Sequence, residues 1–278
     1  MLLGAPEGKR IETINDADGF VANFWRAIHA DPEAVAHHAD WPCNEVDLRA
    51  RNWWLTKQQD ELKEKLGEPH FYDAKIAGWW VWGVCNSIGD SWISGKGPWT
   101  HNGKKWVKRP RSGNKHGIPH LGAGRGINRQ TDGERSAFIG SWFWALHERL
   151  RDVRVTCGDW SRVVTHPVTV LHGLTGVFFD PPYFRGAMDY AVGGVGTNLA
   201  ADVGAWCAAN GGNPMLRIVI CGHEGEHDAL LAHGWSVRKW AARTGYARTE
   251  EALANSASET IWCSPHCEPE TKIQNSLF

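Results

Sequence analysis

The chain has 278 residues, a formal net charge of -1 and seven cysteines, and no apolar run approaches the ~20 residues of a membrane helix. These values exclude a disulfide-stapled mini-protein and a helical membrane protein, and they set the expectation of one large α/β domain or a core domain with a smaller insertion. An odd number of cysteines without framework spacing suits reduced thiols. With no signal peptide expected ahead of the charged "EGKR" stretch, the reading is cytoplasmic.

Tryptophan is the outlier at seventeen, often in near-pairs such as "NWWL", "GWWVWG" and "SWFWAL". Large rings build cores, and some can instead stack on a base or a cofactor ring.

In chain order, "RIETINDADGFVANFWRAI" reads as a short strand, an acidic turn and an amphipathic helix. Asp16 or Asp18 can cap that helix, Phe20, Val21, Phe24, Trp25 and Ile28 share a face, and Asp31-Pro32 ends the pattern. "TKQQDELKEKLG" reads as a solvated helix, and "AKIAGWWVWGVCNSI", apolar all round, is assigned to a buried helix on its length. From Ser91 to Thr131 periodicity is lost, and nine Lys or Arg occur without one acid, leaving about -10 for the rest of the chain. Regular alternation then returns: helix "SAFIGSWFWALHERL", strand "VRVTC", strand "GVFF", helix "NLAADVGAWCAAN" and strand "LRIVIC", then strand candidates "WSVRKW" and "TIWCS". Such alternation predicts a mostly parallel α/β sheet, which binds ligands outside the carboxyl ends of its strands. Three such ends carry polar residues: Asn15-Asp16, Gly158-Asp159-Trp160 and Asp180 to Tyr183.

The third end, within "TGVFFDPPYFRG", has the most distinctive chemistry. Consecutive prolines stiffen the turn and cannot donate to a ladder, which leaves the carbonyls of Asp180 and Pro181 available. A carboxylate beside a fixed carbonyl makes a pair of acceptors for an amino group, and Tyr183 offers a ring on which a flat heterocycle can stack. The bland alternative is a plain strand-terminating turn.

On "VFFDPPY", "ETINDADGFVANFW", "VTCGDW" and "IWCSPHC", the sequence resembles the Dam-like adenine-specific DNA methyltransferases, which use S-adenosylmethionine. The resemblance implies a Rossmann-like methyltransferase sheet: residues 1–90 and 132–278 would form the core and residues 91–131 a basic target-recognition insertion. It implies that Asp180 and the Pro181 carbonyl, with Pro182 shaping the turn, accept the hydrogens of adenine's exocyclic nitrogen and aim its lone pair at the sulfonium methyl. The base would be flipped out of double-stranded DNA to stack on Tyr183. Asp16 matches the family's acid for the ribose hydroxyls, and Asp159 with Trp160 matches the pair that holds the cofactor's adenine. No metal is implied. Amino methylation of cytosine shares the acceptor geometry and is the nearest chemical neighbour.

The family's glycine-rich cofactor turn, of the FxGxG type, has no counterpart here, and "MLLGAPEGKR" reads as the tail of the helix that follows it. The expectation is a sequence starting after the family's first strand. A catalytically inactive DNA-binding remnant is the alternative from another class. Lys104, Lys105, Lys108, Arg109, Arg111, Lys115, Arg125 and Arg129, with Trp99 and Trp106 among them, are the candidate DNA contacts, against a solvated basic loop.

A competing motif is His223-Glu224-Gly225-Glu226-His227, a literal H-E-x-x-H, with Glu250 or Glu251 as a third ligand of a zinc peptidase. That chemistry needs a helix, where positions i and i+4 share a face. Here the motif follows an apolar strand and contains glycine, which argues against it. A zinc cluster from Cys221, Cys263, His266 and Cys267 matches no ribbon or finger spacing.

Overall fold

The computed structural model describes residues 8–87, 92–93, 99–102, 104–108, 135–182, 199–239 and 259–267. The chain divides into two compact units, Met1–Trp160 and Ser161–Phe278.

The first unit opens with β1 (Glu12–Asp16) and α1 (Gly19–Ala30). Asp18 is the cap, its carboxylate accepting the Phe20 N–H at 2.8 Å. Phe20, Phe24 and Ile28 are buried as the spacing predicts, whereas Val21 and Trp25 flank the stripe half-buried. Asp31-Pro32 ends α1 and also starts α2 (Pro32–Ala39): Asp31 accepts the Ala34 N–H, and proline occupies the first position, where no amide donor is needed.

Helix α3 (Glu45–Lys65) begins well before the expected Thr56, with Asn44 accepting the Asp47 N–H at 2.7 Å. Its early turns hide their helical signal because Arg51, a charged residue, occupies the buried face. The Arg51 guanidinium carbon lies 4.2, 5.0 and 5.5 Å from the ring centres of Trp82, Trp79 and Trp41. Helix α4 (Ala74–Asn86) is the expected buried helix, capped by Asp73. It crosses α2 so closely that a Cβ on Gly78 would lie 2.5 Å from the Cβ of His38.

Two side chains of α1 hold the α3–α4 connection. Arg26 donates to the carbonyls of Leu66, Glu68 and Phe71. Asn23 exchanges two 2.9 Å hydrogen bonds with the Asp73 backbone.

Strands β2 (Trp99–His101) and β3 (Trp106–Lys108) form an antiparallel hairpin. Helix α5 (Arg135–Leu150) buries Ile139, Phe143, Leu146 and Leu150 against Phe24, Ile28, Val35 and Trp82. Strand β4 (Val153–Cys157) then pairs in parallel with β1, from Glu12 opposite Val153 to Asp16 opposite Cys157.

The second unit holds β5 (Thr175–Phe179), α6 (Leu199–Asn210), β6 (Leu216–His223), β7 (Ser236–Lys239) and β8 (Glu259–Cys263). The sheet order is β5-β6-β8-β7. Strand β6 alternates strictly, burying Leu216, Ile218, Ile220 and Gly222. Trp262 and Trp235 complete this core, so several tryptophans serve as packing, while Trp41, Trp142 and Trp144 remain exposed.

The architecture is mixed α/β, but the expectation of a mostly parallel sheet needs correction. Among the described residues β1–β4 and β5–β6 are parallel, whereas β6–β8, β7–β8 and β2–β3 are antiparallel. Strand β8 enters between β6 and β7 against the direction of both, an arrangement that apolar periodicity leaves open because period 2 carries no polarity.

Candidate functional site

In the first unit, parallel pairing brings two of the three expected strand ends side by side. Gly158 adopts φ +131°, a conformation open to glycine, and its N–H donates to the Asp16 carbonyl at 3.0 Å. Asn15 locks the pair further: its amide donates to the Gly158 carbonyl at 3.0 Å, and its side-chain oxygen accepts from the Thr156 hydroxyl at 2.9 Å.

Asp18 does the capping, so Asp16 is not the helix cap. Its Oδ1 accepts the Asp18 N–H at 2.8 Å, which orients the carboxylate at the strand end. Burial raises the Asp16 pKa above the ordinary carboxylate value, against the pull of the Ala17 and Asp18 amides. Asp18 is raised by burial, with the neighbouring Asp16 charge adding to it. Burial, then the charges of Asp16 and Asp18, also push up the Cys157 thiol. The result is an electron-rich strand end suited to hydroxyl hydrogens or a cation. Asp159 follows Gly158 in exposed chain, and half-buried Trp160 opens a short 3-10 turn, Trp160–Val163. A cleft of about 260 Å³ runs along β4 between Trp25, His29, Arg151, Thr156 and Cys157.

The second unit positions the third strand end. Phe179 closes β5 by packing edge-on against Trp206 of α6, with ring centres 5.4 Å apart. The next residues are exposed Asp180, buried Pro181 and half-buried Pro182; Tyr183 lies outside the described residues. Register places Phe179 opposite Ile220, so Asp180 falls beside Cys221 of β6. Burial first, and then the Asp180 and Glu259 charges, push the Cys221 thiol up to about 12.

Strand alternation extends this site beyond the residues expected from sequence. Residues opposite one another share a face, and His223 stands opposite Glu259 at the start of β8. Asp180, Cys221, His223 and Glu259 therefore lie on one face, at the end where β5 and β6 finish. Glu259 carried no local signal and Cys221 stood out only as a zinc-cluster candidate; non-local pairing is what brings them beside the tetrapeptide. His223 stood out for a different chemistry.

The H-E-x-x-H segment is a turn. His223 ends β6, its N–H donating to Glu226 Oε2 at 2.8 Å while its carbonyl accepts the Glu226 N–H at 3.0 Å. Gly225 takes φ +85°. His227 is buried edge-on against Trp262, 5.1 Å between ring centres, and burial lowers its pKa in favour of the neutral imidazole. The two imidazoles thus do not share a helix face. His266 Nε2 donates to the Gly212 carbonyl at 3.1 Å. Among the described residues no group of three or more His, Cys, Asp or Glu could hold a metal ion; Glu250 and Glu251 lie outside them.

Of the candidate DNA contacts, Lys104 and Lys105 sit exposed at the tip of the β2–β3 hairpin. Asn102 organises that turn, its Oδ1 accepting the N–H groups of Lys104 and Lys105 at 3.1 and 2.9 Å. Lys108 ends β3. Arg109, Arg111, Lys115, Arg125 and Arg129 lie outside the described residues. No helix among the described residues is long and apolar enough to cross a membrane. Comparison with family models and with curated proteins finds no match.

Proposed function

We propose that the chain is a DNA methyltransferase of the Dam-like kind, with a Rossmann-like core, that transfers a methyl group from S-adenosylmethionine to the amino group of adenine in double-stranded DNA. The observation carrying this reading is Asp180-Pro181-Pro182 at the carboxyl end of β5, the position where sheets with parallel strands present ligand-binding groups. Neither proline can donate to a neighbouring strand, so the turn offers a carboxylate and a rigid carbonyl to one amino group. Hydrogen bonds from the amino hydrogens to these acceptors draw the nitrogen toward a pyramidal shape and direct its lone pair outward. Tyr183 supplies the stacking face for the flipped base.

The cofactor assignment draws on the first unit. The residues there fit S-adenosylmethionine: Asp16, relieved of capping by Asp18 and oriented by the Asp18 amide, suits the ribose hydroxyls. Asp159 and Trp160 suit the adenine amino group and ring. The cofactor, when bound, supplies an electrophilic methyl group on a sulfonium. Lys104 and Lys105 contribute phosphate affinity from the hairpin tip.

Calorimetric titration of the full chain with S-adenosylmethionine, followed by mass spectrometry of nucleosides from treated DNA, tests this reading. N6-methyladenine is expected, with Asp180→Ala retaining cofactor binding and losing the product. A folded chain that binds DNA without binding the cofactor overturns the enzyme reading in favour of an inactive DNA-binding protein, and N4-methylcytosine as product overturns the choice of base.

A further inference from the structure

His227 fills a slot that two glycines leave open in the core of the second unit. A Cβ on Gly222 of β6 would lie 3.0 Å from its Cδ2 and 3.2 Å from its Nε2, and a Cβ on Gly204 of α6 would lie 3.5 Å from its Nδ1. The Trp262 ring of β8 closes the slot edge-on at 5.1 Å, and only 5% of His227 is exposed. Its carbonyl accepts the Leu230 N–H at 2.9 Å, at the start of the 3-10 turn Asp228–His233. Among the described residues, the buried Nε2 atom has no hydrogen-bond partner. A neutral imidazole can leave a lone pair there at modest cost, whereas an imidazolium puts an unpaired, charged N–H in the core.

We infer that His227 is an acid-sensitive latch: its neutral ring holds the end of β6 against α6 and β8, and protonation expels the ring and frees that end. Strand alternation puts Cys221, His223, Glu259 and Cys263 on the opposite face of the sheet from Gly222 and Trp262. On α6, burial pushes the Cys207 thiol up to about 12, so it stays neutral, and Asp202 is exposed. Around the turn, Asp228 accepts the Trp262 indole N–H at 3.1 Å, Glu224 pairs with Lys239, and His233 is exposed. Glu226 favours the imidazolium, but its Oε2 already accepts the His223 N–H at 2.8 Å. Burial outweighs the Glu226 charge and a Cys221 backbone hydrogen bond, so the His227 pKa is lowered. The unfolded chain therefore takes up the proton first: the latch is whole above the unfolded value of 6.5 and weakens as pH falls below it. The strand end that it releases carries Cys221 and His223, beside Asp180.

Amide hydrogen exchange of the full chain, read by mass spectrometry at about pH 7.5 and about pH 5.5 and corrected for intrinsic rates, tests the latch without substrate or cofactor. Peptides within residues 218–238 are expected to lose protection by up to about tenfold at the lower pH, while α1 and α4 keep theirs. His227→Gln is expected to abolish the difference between the two pH values in those peptides. Unchanged protection of residues 218–238 at the lower pH, a loss shared equally by α1 and α4, or a pH difference that survives in folded His227→Gln overturns the inference. The first two outcomes are read in the unsubstituted chain, whatever the variant's folding.

Discussion

Arg149 of α5 grips Glu12 of β1 with two parallel hydrogen bonds, each 2.8 Å, one to each carboxylate oxygen. This fork, with a further bond from Arg10 at 2.9 Å, ties the first strand to a helix more than a hundred residues away. The Arg149 hydrogen bond is the main reason that the Glu12 carboxyl is lowered to about 2. A depressed folded-state pKa contributes stability that is present above the unfolded value of 4.5 and is lost as pH falls toward 2. Both side chains retain contact with water, so screening reduces the benefit. Arg149→Met is expected to lose about 1 kcal/mol at neutral pH, and urea denaturation across the acid range should show the difference from the parent chain vanishing near the lower pKa.

Asp16 and Asp18 are two residues apart yet predicted to respond differently. Asp18→Ala removes a helix cap and should cost about 1 kcal/mol of stability with little change in cofactor affinity. Asp16→Ala should weaken S-adenosylmethionine binding by about tenfold or more, the value of a hydrogen bond to a charged group, at a smaller cost in stability. Paired thermal denaturation and calorimetry separate the two. Equal effects on both readouts would remove the cofactor role of Asp16.

Gly78 allows α4 to touch α2. A Cβ there would lie 2.5 Å from the Cβ of His38 and 2.7 Å from the Val35 carbonyl oxygen, so relief requires moving backbone as well as a side chain. Gly78→Ala is expected to destabilise by roughly 3 kcal/mol despite alanine's better helix propensity. Denaturant midpoints at constant m-value provide the measurement.

Lys104 and Lys105 at the hairpin tip should act on affinity rather than sequence choice. Replacing both with Gln is expected to weaken binding to all duplexes similarly and to flatten the log–log salt dependence by about 1.8, the value for two phosphate contacts. Fluorescence anisotropy over a salt series measures that slope, and an unchanged slope would place the contacts elsewhere.

Local rules made parts of this molecule legible from sequence. A cap at Asp16 or Asp18 and the apolar spacing from Phe20 to Ile28 announced α1, with the choice of Asp18 left to the structure, and proline after a short apolar run announced the end of β5. The start of α3 was hidden because Arg51 occupies a buried position that aromatic faces make tolerable, a compensation invisible without tertiary contacts. Helix α2 was hidden because Asp31-Pro32 serves both as stop and as start. At the candidate site, Asp180 was legible because its chemistry is contiguous, whereas Cys221 and Glu259 join it only through pairing of β5, β6 and β8.

Arg26 and Asn23 give α1 control over chain that it does not adjoin in sequence. The guanidinium takes carbonyls from three residues after α3, and the Asn23 amide imitates a strand partner for Asp73, which caps α4. Detachment of α1 would expose those carbonyls and loosen both helix ends at once. The slow amide protons of α1, the last turn of α3 and the first turn of α4 should consequently exchange with deuterium at one common rate, marking a single cooperative opening unit.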